Sequence, residues 1–106
     1  MAVQELNDDS FAELAKRGEK ILVKFYANWC GSCKLFAPKF RRLSEEERFQ
    51  DIHFVKVNAE DNPKVRQWAG VDNLPFFATV DDAKVQNALS TNKEEKVLEF
   101  LNQLKG

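Results

Sequence analysis

A chain of 106 residues with 16 Lys+Arg, 17 Asp+Glu and one His has room for one domain, residues 1–106, and none for a second core. Its 43% hydrophobic content, with nine Phe and two Trp, suffices for a packed interior and excludes a disordered chain of the same charge density. The formal charge of −1 supplies no strong overall field for a polyanion or an acidic membrane, so neither nucleic acid nor membrane is an expected partner.

No apolar run approaches the roughly 18–20 residues that span a bilayer. The opening Met1-Ala2-Val3-Gln4-Glu5 lacks the basic and apolar parts of a signal peptide, which sets the expectation of a cytoplasmic location. Ala2 to Leu6 fits an edge strand. Asp8-Asp9-Ser10 with Glu13 reads as a capping box, Phe11, Leu14 and Ala15 give the helix an apolar stripe, and Gly18 suits its C-terminus. The run Ile21 to Ala27 is apolar except for Lys24 and predicts a central strand covered on both faces. From Cys33 to about Glu47 the period of Phe36, Phe40 and Leu43 predicts a helix, with Pro38 inside it as a source of kinking.

Ile52 to Asn58, containing Phe54, Val55 and Val57, predicts a second buried strand. Asn62-Pro63 opens a helix that stops at Gly70, with Trp68 expected in the core. Phe76 to Val80 is a third strand. Asp81 to Lys84 reads as a hairpin turn to a short edge strand around Val85, and from about Asn92 a helix buries Val97, Leu98, Leu101 and Leu104. Glu45-Glu46-Glu47 reads as a solvated helix end, and His53 as a surface or half-buried side chain. This order predicts an α/β domain in which parallel crossovers are followed by an antiparallel hairpin: a mixed sheet with helices on both faces.

The chemistry concentrates at Cys30 and Cys33. Cysteines three positions apart close too small a loop to add much global stability, so the pair reads as redox-active or metal-binding. Zinc wants four ligands, and beyond this pair the sequence offers His53 and carboxylates; a metal carrier or zinc-bridged dimer is the remaining form of that reading. A buried strand running into Trp29-Cys30-Gly31-Ser32-Cys33-Lys34 at a helix start favours redox chemistry. Free N–H groups and the helix dipole stabilise a thiolate at Cys30, the expected nucleophile, and Cys33 one turn in is placed to resolve a mixed disulfide. Gly31 is expected to let the backbone turn tightly between them.

Three segments in register resemble the thioredoxin family over nearly the whole chain. They are Phe25 to Lys34 with Ala37-Pro38 following; Val55-Lys56-Val57-Asn58 with Asn62-Pro63; and Val71 to Leu74-Pro75. The resemblance implies the thioredoxin fold, a central mixed sheet of four to five strands flanked by about four helices. It implies a thiol–disulfide oxidoreductase acting on protein disulfides, most simply as a reductant, without a bound cofactor or metal. The implied electron donor is a partner reductase such as a thioredoxin reductase, and a monomer is expected. Pro75 corresponds to the family's cis-proline, and Trp29, Leu74 and Pro75, with Gly31 and Ser32, form the implied substrate groove.

The chain also departs from the family pattern. Ser32 replaces the proline of the usual CGPC, which by resemblance makes the couple somewhat more oxidising. Lys24 stands where the family has a buried aspartate beneath the resolving cysteine; a charged lysine cannot accept the thiol proton, whereas a buried neutral amine can. Lys56 aligns with that aspartate's lysine partner, so two amines share the site and one is expected to snorkel outward. Phe76 follows the proline where Thr is frequent, and Asn87-Ala88-Leu89-Ser90 lacks the family's glycine. These departures favour the alternative of a thioredoxin-fold binding or regulatory module with weak turnover.

Overall fold

The computed structural model describes residues 3–106. Strand β1 (Gln4–Glu5) leads to helix α1 (Asp8–Lys16), strand β2 (Lys20–Tyr26), helix α2 (Gly31–Ser44) and a single 3₁₀ turn at Glu47–Phe49. Strand β3 (Ile52–Asn58), helix α3 (Pro63–Ala69), the hairpin β4 (Phe76–Asp81) and β5 (Lys84–Ser90), and helix α4 (Glu94–Lys105) complete it. The five strands lie in the order β1-β3-β2-β4-β5. The pairs β1–β3 and β2–β3 are parallel, and β2–β4 and β4–β5 are antiparallel, so the apolar run that predicted a central strand lies mid-sheet. The start of the expected edge strand, Ala2, lies outside the described residues.

Alternation along the strands divides the core into two layers. Ile21, Val23 and Phe25 of β2, with Val55 and Val57 of β3, pack against Phe11 and Leu14 of α1 and Val65 of α3. Leu22 and Phe54 face the other way, onto Phe36 and Phe40 of α2 and Val97 and Leu101 of α4. The same alternation puts Lys24 and Lys56 on that second face, two residues beyond Leu22 and Phe54.

Local chemistry accounts for the element ends, in places differently from the sequence expectation. The cap of α1 is Asn7: its side chain accepts from the Ser10 amide at 2.8 Å, and the Ser10 hydroxyl accepts from the Asn7 amide at 2.8 Å. Ser10 is thus the third residue of the helix and not its cap. Asp8 is drawn away to α3, where its carboxylate accepts from the Val65 amide at 2.8 Å and the Lys64 amide at 3.3 Å. Asn62 holds the expected N-cap position of α3, but its side chain makes no capping bond; its amide bridges Asp8 N–H and the Asn58 carbonyl instead. Gly70, at φ 75°, ends α3 in the left-handed region.

Helix α2 starts earlier and stops sooner than expected, and it runs through Pro38 without ending. Trp68 corrects the core expectation. It is 46% exposed and lies edge-on to Phe11, because α3 turns its buried face through Val65 and Ala69. The edge strand around Val85 extends over seven residues, with Asp82 and Ala83 at φ 54° and 62° forming its tight turn. Among the described residues no helix is long and apolar enough to cross a membrane.

Candidate active site

The C-terminal end of β2 delivers the chain through Ala27 and Trp29 to the start of α2, where Cys30 and Cys33 form a disulfide with Cα atoms 5.3 Å apart. Cys30 is the N-cap of the helix. Its Sγ accepts from the Cys33 amide at 3.1 Å, so an orphan N–H of the first turn already points at the sulfur that would carry negative charge in the dithiol form. Cys30 is 6% exposed and Cys33 2%, so Cys30 is the less buried residue of the pair.

Gly31 does not serve the role its residue type suggested. It begins α2 without a positive φ, and a Cβ there would meet open space, so the turn between the cysteines is made by ordinary helical backbone. Gly31 and Ser32 are exposed beside the disulfide, and Ala27, Cys30 and Cys33 form a small buried cluster against which Tyr26 and Leu74 pack. The Leu74–Pro75 peptide bond is cis. The Pro75 carbonyl accepts from the Ser90 hydroxyl at 3.1 Å and the Thr91 amide at 3.2 Å, anchoring this loop to the end of β5. Trp29 is 69% exposed, and its indole N–H donates to Glu60 at 2.8 Å. The structure therefore brings Leu74 to the cluster that holds the disulfide, with Trp29 exposed one residue before Cys30.

Beneath Cys33 the site is cationic. Lys24 is 3% exposed; its Nζ donates to the Cys33 carbonyl at 3.5 Å and lies 5.4 Å from the centroid of the Phe40 ring. Burial, and after it the neighbouring charge of Lys56, push the Lys24 amine down from 10.5 to about 8. Lys56 pairs with Lys24 across β2 and β3, but its side chain is 42% exposed and reaches Glu5 at 3.8 Å, so it is the amine that snorkels. The Tyr26 hydroxyl donates to the same Glu5 carboxylate; burial first, and then Glu5, raise it to about 12.

Phe76 is buried against Phe25, 6.1 Å between ring centroids. His53 is half-buried and bonded to Glu19 at 2.8 Å. Among the described residues no group of three or more His, Cys, Asp or Glu is arranged to hold a metal ion.

Sequence reasoning missed Glu60, whose contact with Trp29 spans 31 positions and has no local signal. It also missed Lys34 and Arg41, which line the cavity under Cys33. Their seven-residue spacing on α2 puts them on one face, and that signal was present.

A thioredoxin family model matches residues 2–103. The chain is 33% identical to the chloroplastic thioredoxin F of Oryza sativa subsp. japonica, over 97% of this chain and 56% of that protein. It is 32% identical to thioredoxin-1 of Schizosaccharomyces pombe, over 85% of this chain and 87% of that protein. The chain spans about half the length of several curated relatives it matches. Among solved structures, the short form of spinach chloroplast thioredoxin F superposes with a TM-score of 0.91 at 27% identity, covering 99% of this chain and 95% of that one. The thioredoxin f2 match from a complex with ferredoxin:thioredoxin reductase gives 0.90 at 29% identity, covering 99% and 96%. With these likenesses, the five-stranded mixed sheet and the cysteine pair at the start of α2, the chain belongs to the thioredoxin family.

Proposed function

We propose that this protein is a thiol–disulfide oxidoreductase that reduces protein disulfides. The observation that carries the reading is the Cys30–Cys33 disulfide at the N-terminus of α2, with the Cys33 amide directed at Cys30 Sγ. In the dithiol form the Cys30 thiolate attacks one sulfur of a substrate disulfide. That S–S bond breaks, the leaving thiolate takes a proton, and a mixed disulfide remains. Cys33 then loses its proton and attacks Cys30 Sγ, releasing the second substrate thiol. The substrate gains two electrons and two protons, and the cysteine pair is left oxidised.

Trp29, Leu74 and Pro75 are the residues we assign to the substrate's backbone, with Gly31 and Ser32 beside them. Leu74 packing on the cysteine cluster and the exposure of Trp29 support that assignment. Lys24 tunes the second step. With its amine at about 8, a fraction is neutral near pH 7 and is available as a base beside Cys33, while the protonated fraction favours the Cys33 thiolate. Burial first, and then Lys56, set that balance by disfavouring the charge on Lys24.

Electrons are returned by a partner reductase; a related thioredoxin f2 is crystallised with ferredoxin:thioredoxin reductase, which supports a partner of that class. A reducing compartment suits such a reductant, the cytoplasm in our reading. The relatives include chloroplastic and mitochondrial proteins, and cell fractionation distinguishes these locations.

The test is turnover of a protein disulfide with a small dithiol as electron donor. Wild type is expected to turn over and Cys30→Ser to be inactive; wild type no faster than Cys30→Ser defeats the reading. One observation favours a second reading, a binding module with weak turnover: the buried group beside Cys33 is a lysine, and among the described residues no carboxylate lines that cavity. Such a module binds its partner equally well as wild type and as Cys30→Ser.

A further inference from the structure

The cavity beneath Cys33 is open on one side and has a volume of about 410 Å³. Lys24 and Lys56 come to it from β2 and β3, and Lys34 and Arg41 from α2, two turns apart; Tyr26 and Asn28 also line it. Among the described residues no Asp or Glu lines it, although the chain as a whole is slightly acidic. Of the carboxylates near this group, Glu5 is committed to the Tyr26 hydroxyl and to Lys56, and Asp61 lies near Tyr26. Among the described residues, Lys34 and Arg41 form no ion pair.

Lys24 makes the arrangement specific. An ammonium has three donors, and here it is 3% exposed with one acceptor, the Cys33 carbonyl, at the long distance of 3.5 Å. Burying a cation with so little compensation is costly, and the charge of Lys56 beside it adds to the cost. An oxyanion placed among them relieves both terms. It supplies several acceptor oxygens to the Lys24 ammonium and offers Arg41 a partner for its planar fork. The space suits a tetrahedral oxyanion that keeps part of its hydration shell, since about 30 Å³ is one water's share of liquid volume. We propose that this cavity is a binding site for a small oxyanion of the phosphate or sulfate class, seated on Lys24 and clamped by Lys34, Arg41 and Lys56.

The site is present in the disulfide form and does not depend on the redox reading, so it is tested on oxidised protein without a thiol partner. The oxidised wild type is titrated with inorganic phosphate at constant ionic strength, with sodium chloride as the balancing salt, by calorimetry. One saturable site is expected in wild type, with affinity about tenfold weaker in Arg41→Gln and in Lys56→Gln, and no binding in Lys24→Met. Lys16→Gln, on α1 away from the cavity, is expected to bind as wild type does. Should Lys24→Met fail to fold, the two exposed variants carry the test. Absence of saturable binding in wild type overturns the proposal, as does binding that Arg41→Gln and Lys56→Gln leave unchanged.

Discussion

Lys24 and Lys56 occupy partnered positions on the parallel strands β2 and β3, yet Lys24 is buried under Cys33 while Lys56 reaches out to Glu5. The difference follows from place in the sheet. β2 is the middle strand, covered by α2, whereas β3 lies next to the short edge strand β1, which leaves a way out for the Lys56 side chain. One amine is solvated and the other is held in the interior with its proton affinity lowered.

A pH dependence of stability follows. The Lys24 amine sits at about 8 folded against 10.5 unfolded, so the cost of burying its charge is complete below pH 8. Between those values the unfolded chain holds a proton that the folded chain has released, and stability rises with pH. The other groups around the amine are Lys56, Lys34, Arg41, Tyr26 and Glu5. Comparison with Lys24→Met cancels their common part. Urea unfolding at pH 7.5 and pH 10 should show wild type gaining about 2–3 kcal/mol relative to Lys24→Met. The range stops at pH 10 because Tyr26, raised from 10.0 to about 12, lowers stability with pH beyond that point. An unchanged difference between the two proteins means that the Lys24 amine is solvated.

Division of labour between the cysteines is open to trapping. With Cys33→Ser, attack by Cys30 proceeds and resolution does not, so a stable mixed disulfide with a substrate should accumulate and be visible as an adduct by intact mass. Cys30→Ser should give no adduct in the same reaction. Equal trapping by the two variants contradicts the assignment of Cys30 as attacking sulfur.

Asp8 belongs to α1 by sequence but caps α3, through the amides of Lys64 and Val65. Asp8→Ala removes two acceptors from the positive end of that helix and should cost about 1–2 kcal/mol in denaturant unfolding. A loss no larger than that of Asp9→Ala, which has no such contact, would show that the cap contributes nothing.

The hairpin turn carries a correctable local conflict. Ala83 sits at φ 62°, where a Cβ is unfavourable, and glycine is not. Ala83→Gly should stabilise the protein by about 0.5–1 kcal/mol, after allowing for the greater freedom of glycine in the unfolded chain. A destabilised variant would contradict the left-handed conformation at this position.

Much of the architecture was legible because burial on both faces leaves a strong mark. Strand β2 is apolar apart from Lys20 and Lys24, and β3, built on Ile52, Phe54, Val55 and Val57, was expected with its observed bounds. Strand β5 was underestimated because its pairing with β4 rests on backbone hydrogen bonds, while exposed and half-buried residues alternate along it. Trp68 was misplaced because helical spacing reports which residues share a face and not how far that face is covered. The cap of α1 was assigned to Ser10 because the pattern of small polar residues fits several frames, and the geometry selects Asn7.

At the site, the cysteine pair and Lys24 stood out in the chain itself. The disulfide neighbour Leu74 was named through family resemblance. Contacts such as Trp29 with Glu60 join segments that only the folded sheet brings together, and no local pattern announces them. Gly31 shows the reverse error, a residue type that suggested a backbone need the helix does not have.

The reduction potential of the Cys30–Cys33 pair, measured by equilibration against defined thiol buffers, tests the assignment as a reductant most directly. A value at or slightly above the thioredoxin scale of about −270 mV is expected, with Ser32→Pro shifting it to a more negative value. A value of about −180 to −120 mV would mark an isomerase or oxidant, and a pair that does not cycle would mark a binding module; either contradicts the reductant.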